Sequence, residues 1–139
     1  MNPAIIHPNL ANEHKIEELC FIVELSNSAT DPDLSIAQAR VEPGVTTRWH
    51  RLHDTAERYY ILQGSGRVEI GDQQPEDVSA GDVVLIPAMC RQRIANTGST
   101  DLIFLALCTP AFKDTVYEDI EEGYHVRSAG VSEGKLSCE

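Results

Sequence analysis

G-V-T-T-R-W-H-R-L-H-D-T-A-E-R-Y-Y-I-L-Q-G-S-G, residues 44–66, sets two imidazoles and a carboxylate between two runs of β-forming residues and closes on the glycines of a tight turn. Histidine and glutamate are ligands for a borderline divalent ion such as Zn, Mn, Fe, Co or Ni. Such groups converge on one ion only if they share a face, and in a strand residues of like parity do so. His50 shares parity with Arg48 and Leu52. His53 is out of phase with them and comes inward only through a bulge. A turn through Asp54–Thr55 lets Glu57 open a returning strand and face His50 across the hairpin, with Tyr59 on the same face as Glu57.

Outward from this hairpin the chain is a series of short strand signals. On the N-terminal side lie the apolar run Leu19–Leu25, a turn cluster at Ser26–Asp33, and an alternating run Leu34–Val41 ended by Glu42–Pro43–Gly44. On the C-terminal side come Arg67–Ile70, Asp77–Ser79, Val83–Ile86 stopped by Pro87, Arg91–Ala95, and the apolar run Leu102–Cys108. Short strands punctuated by turn residues every 8–12 positions, with no helix between them, predict an all-β sandwich or barrel. Residues 1–17 read as a polar N-terminal arm, 18–112 as the β domain, and 113–139 as a polar tail. In that tail Tyr117–Glu122 is either a helical turn or an acidic loop, and Gly123–Glu139 is poor in apolar residues.

The 139 residues fit a single domain, with 42% apolar content near the globular average. Twenty-two acidic residues against eleven basic ones give a formal charge of −11, which speaks against nucleic acid and anionic membranes as partners. No apolar run reaches the ~20 residues that span a bilayer, and the N-terminus does not read as a signal peptide, so a cytoplasmic location is expected. Cys20, Cys90, Cys108 and Cys138 show no C-x-x-C spacing and are expected to be reduced, structural thiols. Open sheet edges and the polar arm predict a homodimer.

The hairpin resembles the first motif of the cupin superfamily, G-x5-H-x-H-x3,4-E-x6-G, on Gly44, His50, Glu57 and Gly64, with Leu52 at the second histidine position and His53 one residue late. Gly81, Pro87 and Asn96 are similar to the second motif, G-x5-P-x-G-x2-H-x3-N, where Met89 stands at the internal glycine and Gln92 at the histidine. The resemblance implies a cupin jelly-roll barrel around a small-molecule pocket. It also implies one divalent metal ion held by His50, Glu57 and Gln92, with or without His53. The implied activity is metal-assisted chemistry of dioxygenase, isomerase or lyase type on a small oxygen-rich metabolite. Arg48 would orient an anionic substrate and Tyr59 would handle a proton. Two alternatives remain open at this point. One is a metal-free epimerase pairing a His50 base with a Tyr59 acid. The other is a non-catalytic module that binds a sugar-like molecule.

Overall fold

At one end of three neighbouring strands the inward residues are mostly small or polar, and that end is where the molecule keeps empty space. A computed structural model describes residues 1–122 and Cys138. After a short 3-10 turn at Leu10–Asn12, the strands are β1 His14–Lys15, β2 Phe21–Ser26, β3 Ser35–Val41, β4 His50–Leu52, β5 Ala56–Gln63 and β6 Ser65–Ile70. They continue with β7 Glu76–Ser79, β8 Val83–Ile86, β9 Gln92–Asn96 and β10 Leu102–Thr109. A second 3-10 turn, Asp114–Val116, then leads into β11 Tyr117–Asp119. Two antiparallel sheets result, ordered β1-β2-β3-β10-β5-β8 and β11-β4-β9-β6-β7. This is the expected all-β jelly roll.

Three cross-strand rows line the inner face of the six-stranded sheet. Ile22, Ala39, Phe104 and Ile61 lie side by side; next come Glu24, Ala37, Ala106, Tyr59 and Val84; the third is Ser35, Cys108, Glu57 and Ile86. The first row joins Val41, Leu102, Val68 and Ile94 in a core that excludes water from one end of the barrel. At the other end the alanines and polar residues leave a cavity. The sheets reach both flanks of the central domain: β1 pairs with β2, and β11 with β4. Tyr117–Asp119 is thus an edge strand rather than a helical turn or loop. The expected polar tail, including His125, falls mostly on residues 123–137 and 139, which lie outside the described residues. Among the described residues no helix is long and apolar enough to cross a membrane.

The two motifs act through backbone geometry. Gly64 has φ +90°, and a Cβ there would sit 2.7 Å from the Asp101 carbonyl oxygen, so only glycine fits this turn. Buried Asn96 donates from Nδ2 to the Val41 and Thr100 carbonyls, both at 2.8 Å, and accepts from the Gly98 N–H at 2.9 Å. It thereby ties three chain segments together while satisfying their buried polar groups. Met89, at the motif's glycine position, has φ +68°. That is a backbone conformation glycine adopts more readily than methionine.

The expectation of four free thiols is corrected: Cys90 forms a disulfide with Cys138, and Cys20 and Cys108 are the buried free cysteines. A sequence separation of 48 residues carries no spacing signature, so the pairing was invisible before folding brought the chain end to the β8–β9 turn. The Arg91 N–H also donates to the Cys138 carbonyl at 2.7 Å.

Two outcomes follow from this geometry. Thiol titration of denatured, unreduced protein should give two groups; four would mean that the bridge is not formed. Met89→Gly should raise stability by about 0.5–1 kcal/mol, because the ~1–2 kcal/mol left-handed penalty exceeds glycine's extra unfolded-state entropy. Urea unfolding with unchanged m-value measures it, and a lower midpoint would show that Met89 is not strained.

Candidate active site

The hydrogen bonds of His50 settle which of its nitrogens is chemically available. Its ring is 2% exposed, and Nδ1 lies 2.8 Å from the Arg48 carbonyl oxygen. A carbonyl only accepts, so Nδ1 carries the proton and Nε2 holds the lone pair in the neutral ring. Nε2 is 3.4 Å from Glu18 Oε1, and Tyr117 stacks on the ring with centroids 5.3 Å apart. Glu18 is held in turn: its carbonyl accepts from the Arg48 N–H at 3.2 Å, and its Oε2 accepts from the Cys20 thiol at 3.6 Å.

Glu57 stands on the opposite sheet. Oε2 accepts from the Cys108 thiol at 3.7 Å, while Oε1 is buried without a hydrogen-bond partner. Burial pushes the carboxyl pKa up to about 7; the Glu18 charge adds to the rise, and His50, Gln92 and Cys108 oppose it. Burial likewise drives both thiols upward, with neighbouring carboxylates assisting, so Cys20 and Cys108 stay protonated donors. The Tyr59 hydroxyl donates to Gln92 Oε1. Burial and the Glu57 charge hold this phenol well above its ordinary range. Its ring tilts against Phe104 at 4.3 Å.

His50, Glu57 and Tyr59 line one cavity of about 480 Å³. Ser35, Ala37, Ala39 and Ala106 form its floor, and Leu52, Phe104 and Tyr117 contribute apolar walls. This size and mixture suit a small polar organic molecule.

The metal expected from the resemblance does not survive this geometry. Among the described residues no group of three or more His, Cys, Asp or Glu side chains is placed to hold an ion. His50 and Glu57 point inward, but Leu52 stands where a second imidazole belongs. Gln92 is buried, yet its carbonyl oxygen is taken by the Tyr59 hydroxyl. His53 follows the strand phase outward: Asp54 turns the chain at φ +53°, and His53 Nε2 meets Glu118 Oε1 at 2.9 Å with 45% of the side chain exposed. The donor set therefore does not fit a divalent cation, and metal-assisted chemistry is set aside. Arg48, expected to orient an anionic substrate, turns its guanidinium to Asp119, with Nε 2.6 Å from Oδ2. It contributes to the site through its peptide group instead.

Sequence reading missed Glu18, Tyr117 and the thiol donors. Glu18 sits at the edge of a polar arm and Tyr117 in an acidic tail, and neither has a local pattern that points to His50. Their only signal is long-range pairing, β1 on β2 and β11 on β4.

Comparison with known proteins agrees with the architecture. An uncharacterised protein of Methanocaldococcus jannaschii is 33% identical over 87 residues, 63% of this chain and 66% of that protein. An oxalate-binding protein of Thermotoga maritima is 37% identical over 71 residues, 51% of this chain and 58% of that protein. The chain therefore spans a little under two-thirds of the length of these relatives. The structure of KdgF from Halomonas superimposes with a TM-score of 0.68 at 17% identity, covering 83% of this chain and 100% of the other. Residues 37–108 match the family described as the cupin domain, and with sheets, motifs and matched span in agreement, the chain belongs to the cupins.

Proposed function

We propose that this cupin works without a metal ion, as an acid–base enzyme of the epimerase or isomerase type on a small oxygen-rich molecule bound in the cavity. The observation that carries this reading is the commitment of His50 Nδ1 to the Arg48 carbonyl. It leaves Nε2 as a base on a buried ring, with the Glu18 carboxylate 3.4 Å away to stabilise the imidazolium that proton abstraction creates. A carbon acid next to a carbonyl is the substrate class that such a base serves.

Two groups on the opposite sheet are candidate proton donors. The Tyr59 hydroxyl is engaged by Gln92 and held far above neutrality. Glu57, with a pKa of about 7, is matched to donate near neutral pH. The reading therefore assigns His50 as base and Glu57 as acid, with Tyr59 and Gln92 fixing the wall beside them. Oxalate, named for the Thermotoga relative, fits poorly, because among the described residues no lysine or arginine lines the cavity.

Proton transfer leaves an isotopic trace whatever the product. Sugars, hydroxy-ketones and related carbonyl compounds incubated with the protein in D2O should show enzyme-dependent deuterium uptake at one carbon by NMR. Uptake should persist after dialysis against a chelator. His50→Gln should lower it by ~10²-fold or more, the usual range for loss of a general base. Glu57→Gln should slow product formation more than exchange. A ligand that stabilises the fold but is recovered without deuterium would replace this reading with the binding-module alternative.

Glu57 also predicts a pH dependence of stability. Its folded pKa of about 7 lies above the ordinary 4.5, so the buried group favours the protonated form. Its contribution is intact below about pH 4.5 and is lost as pH rises toward 7, by about 1.4 kcal/mol per unit and ~3 kcal/mol in all. Glu57→Gln should flatten this slope between pH 5 and 7 and unfold at higher denaturant than the parent at pH 8. Parallel curves for the two proteins would show that Glu57 ionises normally.

A further inference from the structure

Five carboxyl groups line the cavity: Glu17, Glu18, Glu24, Glu57 and Asp114. No lysine or arginine of the described residues joins them there; the other titratable lining groups are His14, His50, Tyr59, Cys108 and Tyr117. The ion pairs of the described residues leave the cavity acids unneutralised by arginine. Arg40 goes to Glu13 and Asp101, Arg48 to Asp119, Arg51 to Glu118, Arg67 to Asp77, Arg91 to Asp72 and Arg93 to Glu69. None of the acids in these pairs lines the cavity.

A second observation points to a ligand rather than to a solvated acidic face. Glu57 is 9% exposed, and its Oε1 has no hydrogen-bond partner. A buried oxygen left without a donor is costly unless something else supplies one, and Glu57 faces the cavity. The chain as a whole carries a formal charge of −11, so its field draws cations inward and repels anions.

We propose that the cavity selects small molecules carrying a protonated amine or guanidine and rejects carboxylates and phosphates. Glu17, Glu24 and Asp114, the exposed acids, meet the positive group, and the buried Glu57 behind them takes a polar group of the ligand. The inference names the substrate class for the acid–base site proposed above and shares its cavity, but it concerns charge rather than turnover.

Matched compounds on common three- to six-carbon skeletons separate the possibilities: amino alcohols and a hexosamine, the corresponding polyols and hexose, and the hydroxy acids and hexuronate. Thermal shift and calorimetry at pH 7 should show binding by members of the amine class, weaker binding by the neutral compounds, and none by the acids. In the triple variant Glu17→Gln, Glu24→Gln, Asp114→Asn the best amine should lose roughly tenfold or more, taking a few-fold for each partly exposed charge. Binding of the neutral analogue should be unchanged. The unliganded melting temperature of the variant confirms that it folds.

Binding by the acids, equal binding by all classes, no binding by any, or an unaltered amine affinity in the triple variant would overturn the proposal. Amine binding without deuterium exchange upholds it while removing the catalytic reading. Exchange on a neutral or acidic compound with no amine binding does the reverse.

Discussion

The main chain of Arg48 grips His50 and the carboxylate-bearing residue beside it at once, its N–H on the Glu18 carbonyl and its C=O on His50 Nδ1. A buried imidazole must satisfy its donor somewhere, and here a main-chain acceptor does so. The ring cannot turn over without breaking that bond, so the lone pair stays on Nε2 beside Glu18. Side chains keep the clamp in register: Arg48 is tied outward to Asp119 of β11, and Tyr117 of the same strand stacks on His50. Since the gripping groups are backbone atoms, no side-chain change at position 48 other than to proline deletes them directly.

Opposing that clamp is a sheet face on which burial, rather than bonding, tunes the chemistry. Glu57 sits between Cys108 and Ile86 in its cross-strand row, with the Cys108 thiol on Oε2. A thiol is a weak donor, so desolvation outweighs hydrogen bonding and the carboxyl rises toward neutrality. Glu18 has the same thiol neighbour in Cys20, but it sits closer to solvent, at 13% side-chain exposure. Two carboxyls with one kind of partner thus occupy different environments: burial raises Glu57 toward neutrality, while Glu18 lies against His50 Nε2.

Much of this was legible before folding. Gly44, His50, Glu57 and Gly64 carried the barrel, and strand parity put His50, Glu57 and Tyr59 on inward faces. Parity also left His53 in the outward phase, and no bulge intervened; the Asp54 turn keeps it at the surface. Gln92 lies in the interior, but its bond to Tyr59 depends on facing sheets that no linear spacing encodes. The same limit hid Glu18, Tyr117 and the Cys90–Cys138 bridge, all of which are contacts between distant segments. Met89 shows a further limit: a methionine stands at φ +68°, where sequence reading expects glycine.

The alanines on the cavity floor set a gauge. Ala37 and Ala106 lie opposite each other, Ala106 borders Tyr59, and Ala39 sits beside Phe104, so part of the chamber is bounded by side chains that end at Cβ. Adding methyl groups at any of the three would narrow it without disturbing a hydrogen bond, a charge or a strand register. Ligand size is therefore controlled separately from ligand chemistry. The clamp and the acids decide what can react, and three small residues decide how large it can be.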